Sequence, residues 1–355
     1  MKDELDVQLQ WIAGQLRKGR VVPFLGAGAN LMGLLPSKDA ILANCPQCGQ
    51  PVPPANLVRF DPQQHRLPSG IELARYLAEE FGYPESDAEN LVRVTQYIAL
   101  ELGTGPLYDT LRELFDWPYP TTGLHDLLAR LPKFVRDRGG VPLQLMVTTN
   151  YDDLLERAFR AADEPIDVLT YMAVGESEGR FIHVRPDGEP HIIDAGEAEG
   201  YAGLPQEGSG LKAKLLRPVI LKIHGTVDRS GLEPPTDSFV ITEEDYIEYL
   251  ARAESSWEFL PRIVKVKLTY SHFLFLGYSL RDWNVRALLH RIWMSQAHDF
   301  QGWAIQHSPA KLDQKFWQGK GIKLLGIDLA EFTERLGSVI ESLPAQAEVR
   351  PMTKG

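Results

Sequence analysis

Apolar positions along this chain follow two spacings. Leu5, Leu9, Ile12 and Leu16 recur every three to four residues, which predicts an amphipathic helix over residues 2–17. An unbroken apolar run follows at 21–25 and predicts a buried strand. Helical spacing returns over 70–81 behind Ser69, over 88–102 with Ser86 and Asp87 as its cap, over 106–115 and over 122–131. From there the spacing alternates. Strand-like runs at 143–149, 219–223, 239–242, 272–276, 303–306 and 322–327 are separated by helical stretches at 152–161, 243–252, 257–268, 282–294, 309–318 and 329–343. A strand, a block of helices, then alternating strands and helices predict an α/β fold. Its sheet is open and mostly parallel, with helices on both faces and a helical lobe (about 69–131) inserted after the first strand.

Three stretches interrupt this order. Residues 31–68 are rich in Pro, Asn and Gln and read as an inserted loop, too long for a routine connection. Residues 166–216 read as an excursion: a hairpin around the turn signal Pro186-Asp187-Gly188, then a Gly- and Glu-rich loop. Residues 344–355 read as a loose tail, leaving one domain over 1–343. The net charge of −11 argues against an extended basic surface and so against direct nucleic-acid binding. No run reaches the ~18 apolar residues of a membrane span. The acidic start MKDELDVQLQ does not resemble a signal peptide, and the two cysteines, Cys45 and Cys48, provide no disulfide framework. A reduced, cytoplasmic setting is the expectation.

Candidate chemistry gathers where strands end. Parallel strands deliver their C-terminal ends to one crevice. Here the first strand ends in Gly26-Ala27-Gly28-Ala29-Asn30, a later one in Thr148-Thr149-Asn150-Tyr151-Asp152, and another in Lys222-Ile223-His224-Gly225. A glycine turn lets a phosphate approach backbone amides, although Leu31 breaks any full G-x-G-x-x-G and an ordinary turn explains the glycines equally well. Asn150 can hold a ribose hydroxyl or a water, or simply cap the next helix. His224 can act as a base near neutral pH, or serve as a hydrogen-bonded strand-end histidine. A further strand ends in Gly277-Tyr278-Ser279-Leu280-Arg281-Asp282, where Gly277 admits close approach, Ser279 offers a hydroxyl, and Asp282 reads as a helix cap.

These four motifs, in this order, resemble the bacterial sirtuin-like NADases, effector domains of antiphage defence. Leu67-Pro68-Ser69-Gly70, Gln96-Tyr97 and the Ile327-Asp328 to Glu331-Phe332 segment extend the likeness from about residue 21 to 343. The resemblance implies a Rossmann-like NAD-binding fold in which Asn150 and His224 are the catalytic pair. The Gly26-Ala27-Gly28 loop would bind the pyrophosphate, and the turn at Gly277 and Ser279 the adenosine half. Asn30, Thr149 and Asp152 complete the expected cofactor-contacting set, with Asp152 placed to orient Asn150 or His224 or to cap a helix.

The resemblance has limits. Deacetylase sirtuins hold zinc on two C-x-x-C pairs, whereas this chain has one, with His65 as a conceivable third ligand, so no metal is expected. A Pro-Asp-Phe-Arg signature after the glycines is also missing. The expected reaction is therefore hydrolysis of the nicotinamide–ribose bond of NAD. A protein deacylase and a non-catalytic nucleotide-sensing or scaffold subunit are the alternatives. No segment reads as a sensor, so control is expected from a homo-oligomer or a separate protein. The resemblance suggests a partner such as a DNA-translocating ATPase.

Overall fold

The computed structural model describes residues 4–32, 60, 66–175, 177–188, 190–208, 214–228, 237–256, 260–278, 301–307, 309 and 311–344. The expectations for Ser279, Cys45, Cys48, His65, the 282–294 helix and the tail beyond 344 fall outside them.

Thirteen strands are described. They are β1 (Val21–Leu25), β2 (Leu145–Thr148), β3 (Asp167–Tyr171), β4 (Phe181–Val184), β5 (Pro190–Ile193), β6 (Gln206–Glu207), β7 (Lys214–Leu215), β8 (Val219–Lys222), β9 (Gly225–Thr226), β10 (Ser238–Phe239), β11 (His272–Leu276), β12 (Gly302–Ile305) and β13 (Ile322–Leu325). Nine of them form one sheet in the order β13-β12-β11-β1-β2-β8-β3-β4-β5. Every neighbouring pair from β13 to β3 is parallel. Only β4 and β5 add antiparallel edges. This is the Rossmann-like arrangement. Its order turns at β1: the chain reaches β2 on one side of that strand and later returns to lay β11 on the other.

Alternating side chains fill two cores, as period 2 requires in a sheet covered on both faces. Val22 and Phe24 of β1, Leu145 and Val147 of β2, and Phe273 and Phe275 of β11 point to one face. Val21, Leu25, Met146, Leu274 and Leu276 point to the other. There they meet the helix Glu4–Arg17 through Leu9, Ile12 and Leu16, and the helix Gly123–Arg136 through Leu124, Leu128 and Val135. Pro23 is tolerated in this central strand for a geometric reason. Backbone groups of even-numbered residues face β11, as Arg20 O and Gly26 N do, so the missing Pro23 N–H faces β2, whose ladder begins only at Phe24.

The helical lobe has its own core, built on Leu73, Leu77, Val94, Ile98, Leu107 and Leu111, which reaches the sheet domain through Tyr151, Leu154 and Phe239. Its helices are Gly70–Glu80, Leu91–Leu102 and Thr104–Phe115; the helix Gly123–Arg136, expected in the lobe, buries its apolar side chains in the sheet core instead. Ser69 caps the first with a full capping box to Glu72. Two boundaries differ from expectation. The second helix starts at Leu91 rather than 88, because Asn90 provides the cap, accepting from Arg93 N. The helix Gly123–Arg136 runs on through Pro132 instead of stopping at 131, with Leu131, Pro132 and Val135 all buried, so packing outweighs one lost backbone bond. The 166–216 segment is also more than an excursion. It contributes β3, β4 and β5 to the main sheet. The predicted strand at 239–242 shrinks to β10, which pairs only with β9.

Candidate active site

The C-terminal ends of β11, β1, β2 and β8 open into a cleft of about 1260 Å³ between the sheet and the helical lobe. Gly26, Ala27, Gly28, Asn30, Thr149, Asn150, Asp152, His224 and Gly277 all line it. Every expected site residue within the described chain is thus brought to one place.

The glycines first serve backbone packing. Gly26 N donates to Leu276 O at 3.1 Å, and Gly28 N to Gly277 O at 2.9 Å, so the β1 and β11 ends stay in contact past the ladder. A Cβ on Gly28 would lie 2.8 Å from Gly277 O. On Gly277, whose φ is +66°, a Cβ would fall 2.0 Å from Ala29 N. A short 3₁₀ helix, Ala27–Leu31, begins directly at this turn, where the sequence showed no helix start. Ala29 N closes back on Gly26 O at 2.9 Å, and Ala27 lines the cleft.

Asn150 does not cap the helix Leu154–Ala161. Asp153 holds the cap position without a side-chain cap bond, and Asp152 Oδ1, one residue earlier, accepts from Leu154 N at 3.1 Å. The Asn150 amide is instead clamped in place. Its Nδ2 donates to Gly26 O at 3.2 Å and, more weakly, to Asn30 Oδ1 at 3.4 Å, and its backbone N–H donates to Thr148 Oγ1. Asn30, buried, donates in turn to Asp152 Oδ2 at 2.7 Å. Asn30 therefore bridges Asn150 and Asp152 across the crevice, a positioning role that sequence spacing alone could not have suggested. Asn150 lines the cleft, and its Oδ1 carries no hydrogen bond among the described residues.

The loop that carries Asn150 is tied to the strand end that carries His224. Lys222, fully buried, donates to Asp152 O and pairs with Glu156 at 2.8 Å. Tyr151 packs edge-on against Phe115 and Phe239, and its hydroxyl donates to Val240 O at 2.9 Å. Val240 N donates to His224 O, also at 2.9 Å. Gly225 has φ +88°, and a Cβ there would lie 1.9 Å from Ser238 O, so only glycine lets β9 pack on β10 right after the histidine.

His224 is 4 % exposed, and Tyr246 and Tyr249 meet its ring edge-on at 5.4 and 5.9 Å. Burial pushes its pKa down to about 3, so the imidazole is neutral across the physiological range. His125 was also missed in the sequence. Buried at the third position of its helix, it accepts from Thr122 N at Nδ1, while the Thr122 hydroxyl reaches Ala29 O at 3.2 Å. Burial holds its pKa below the ordinary value against the pull of Asp152. The start of the helix Gly123–Arg136 is thereby pinned to the glycine loop. Asp87, Glu89 and Glu243 join Asp152 in giving the cleft an acidic lining; Arg75, the one cation among the described lining residues, pairs with Glu89. No group of His, Cys, Asp and Glu suited to a metal occurs among the described residues.

Residues 144–325, just over half of the chain, match the model of the SIR2-like domain. The chain belongs to the SIR2-like family. That match runs from the start of β2 to the end of β13 and so contains Asn150, His224 and Gly277. The chain is also similar to "Defense-associated sirtuin 2" of Bacillus subtilis, at 21 % identity over 294 residues, which is 79 % of this chain and 24 % of that protein. A second relative is "NAD(+) hydrolase ThsA" of Enterococcus faecium, 25 % identical over 220 residues, 61 % of this chain and 35 % of the other. The SIR2-like chain thus spans about a quarter to a third of the length of these curated relatives.

Proposed function

We propose that this SIR2-like chain hydrolyses NAD at the nicotinamide–ribose bond, releasing nicotinamide and ADP-ribose, as an effector in antiphage defence. One observation carries the reading: a clamped carboxamide and a buried neutral imidazole border the same cleft at the turning point of a parallel sheet. The names of the two relatives, one a NAD(+) hydrolase and one defence-associated, support it.

The chemistry follows from the lining. Nicotinamide leaves NAD as a neutral molecule, so little acid catalysis is needed, while positive charge grows on the ribose as it does in glycoside hydrolysis. An acidic lining suits that charge, and a protonated His224 would oppose it. Asn150, with Nδ2 held by Gly26 O and Asn30, presents Oδ1 to the water or to a ribose hydroxyl. The water oxygen bonds to the anomeric carbon as the carbon–nitrogen bond breaks, and His224 accepts the released proton. The Ala27 amide and the Gly277 turn are assigned to the pyrophosphate and adenosine side. Activation is assigned to assembly or to a separate partner protein.

The test is product analysis of NAD incubated with the purified chain, alone and with the proteins encoded beside it. Nicotinamide and ADP-ribose in equal amounts are expected. Acyl-ADP-ribose formed from an acylated peptide, with no free ADP-ribose, would replace this reading with a deacylase.

A further inference from the structure

Three of the four strands that end at the cleft, β1, β2 and β11, begin at a second cavity of about 630 Å³. It lies against Arg20 just before β1, Gln144 just before β2, and Ser271 just before β11, at the opposite end of the sheet from Asn150 and His224. Five cations line it, Arg17, Lys18, Arg20, Lys214 and Lys267, against a single acid among the described lining residues, Glu207. This concentration stands out in a chain of net charge −11.

The cations are held in place but not neutralised. Val141 N donates to Arg17 O at 2.9 Å, Lys18 forms a parallel bridge with Val141, and His272 N donates to Arg20 O at 2.8 Å, so the turn that carries them is fixed on the sheet. Lys267 projects from the helix Arg262–Thr269. Lys18, Arg20, Lys214 and Lys267 form no ion pair among the described residues. Arg17 donates through Nη1 to Pro344 O, and its Nε is buried without a partner. Gln144 is 3 % exposed, lines the same cavity, and has an amide oxygen with no partner among the described residues. Buried polar groups left unpaired cost stability unless a partner arrives. Burial, with Lys214 nearby, lowers Lys267 to about 8, a strain that an anion would relieve.

We propose that this cavity is a second binding site, for a phosphate-bearing small molecule of nucleotide size, with the phosphates on Arg17, Arg20, Lys214 and Lys267 and a polar edge of the ligand on Gln144. The volume lies in the range of small-molecule sites. The cations converge inside one concavity instead of running along a face, which favours a compact ligand over a nucleic-acid strand. Tyr270 supplies an aromatic wall suited to a base. The site is built on the N-terminal strand ends and is separate from the NAD cleft, so the two are expected to fill independently.

The test is calorimetric titration of the full chain with inorganic tripolyphosphate, ATP and NAD, at roughly physiological ionic strength, where exposed charges alone are screened. Wild type is expected to bind both tripolyphosphate and ATP. The Arg20→Ala, Lys267→Met double variant is expected to lose about tenfold or more in affinity for tripolyphosphate, two charge-assisted contacts being removed. Its NAD affinity is expected to be unchanged. Gln144→Leu, which removes an unpartnered amide, gives a second variant that keeps the fold and is expected to weaken ATP. Equal tripolyphosphate affinity in wild type and double variant would overturn the proposal, as would no binding in either. A single-stranded oligonucleotide that binds more tightly than ATP, and is lost in the same variant, would overturn it in favour of nucleic acid.

Discussion

At the scale of single residues, the site rests on two side chains with different kinds of support. His224→Ala and Asn150→Ala are each expected to lower NAD turnover by about 10²-fold or more, with circular dichroism unchanged. Turnover near the wild-type level in either variant would remove that residue from the chemistry. The buried imidazole also predicts a pH response. Its folded pKa, about 3, lies below the ordinary 6.5, so between those values the unfolded chain takes up a proton that the folded one refuses. Stability should therefore fall as pH drops below 6.5, and His224→Phe should lose less of its thermal midpoint between pH 7 and 5 than wild type. An equal loss in both proteins would show that His224 is not the group responsible. Asn150 and His224 could be singled out in the sequence because each sits two residues past the end of an apolar strand, His224 directly before Gly225. Asn30 was expected at the cofactor, but its bridge from Asn150 to Asp152 was not legible, nor were His125 and Tyr246, because these roles come from contacts between separate elements, such as Asn30 to Asp152, Thr122 to Ala29 and Tyr246 to His224.

At the scale of elements, strand ends welded by glycine hold the crevice in shape. Gly277→Ala places a Cβ against Ala29 N in a backbone region that disfavours side chains, and is expected to destabilise the fold by about 2 kcal/mol or more in denaturant unfolding. A loss under half a kilocalorie would mean that the turn can rearrange freely. Asp152→Ala removes the acceptor of Leu154 N at the helix start and the acceptor of Asn30 Nδ2, at a cost of about 1–3 kcal/mol. The fall in turnover should exceed what that instability explains, since the Asn30–Asn150 clamp is loosened with it. Central strands read well in sequence: 21–25 and 272–276 coincide with β1 and β11, because strands buried on both faces are continuously apolar. Boundaries fixed by a cap or by long-range packing read poorly. Asn90 displaced the expected cap by three residues, and burial carried a helix through Pro132. The edge strands β4 and β5 were visible as a hairpin, but their attachment to the main sheet through β3 depends on pairing distant in sequence.

At the scale of the whole molecule, a sheet and a helical lobe with separate cores face each other across one cleft, and both contribute lining. Ligand that spans the two should stabilise them together. An uncleavable NAD analogue at about 100 times its dissociation constant is expected to add roughly 2.7 kcal/mol of stability. No gain at saturation would mean that the cleft does not take the dinucleotide. The fold class was readable from the order of apolar spacings, and the cleft from where the strands end. The second, basic cavity was not, because Arg20, Gln144 and Lys267 are far apart in the chain and meet only once the sheet has formed. The most direct measurement for the central claim is a crystal structure of the His224→Ala variant with NAD bound. The account predicts the nicotinamide ribose beside the Asn150 carboxamide, with the adenosine half toward Gly277. NAD held elsewhere, with Asn150 more than a water's breadth from the ribose, would contradict it.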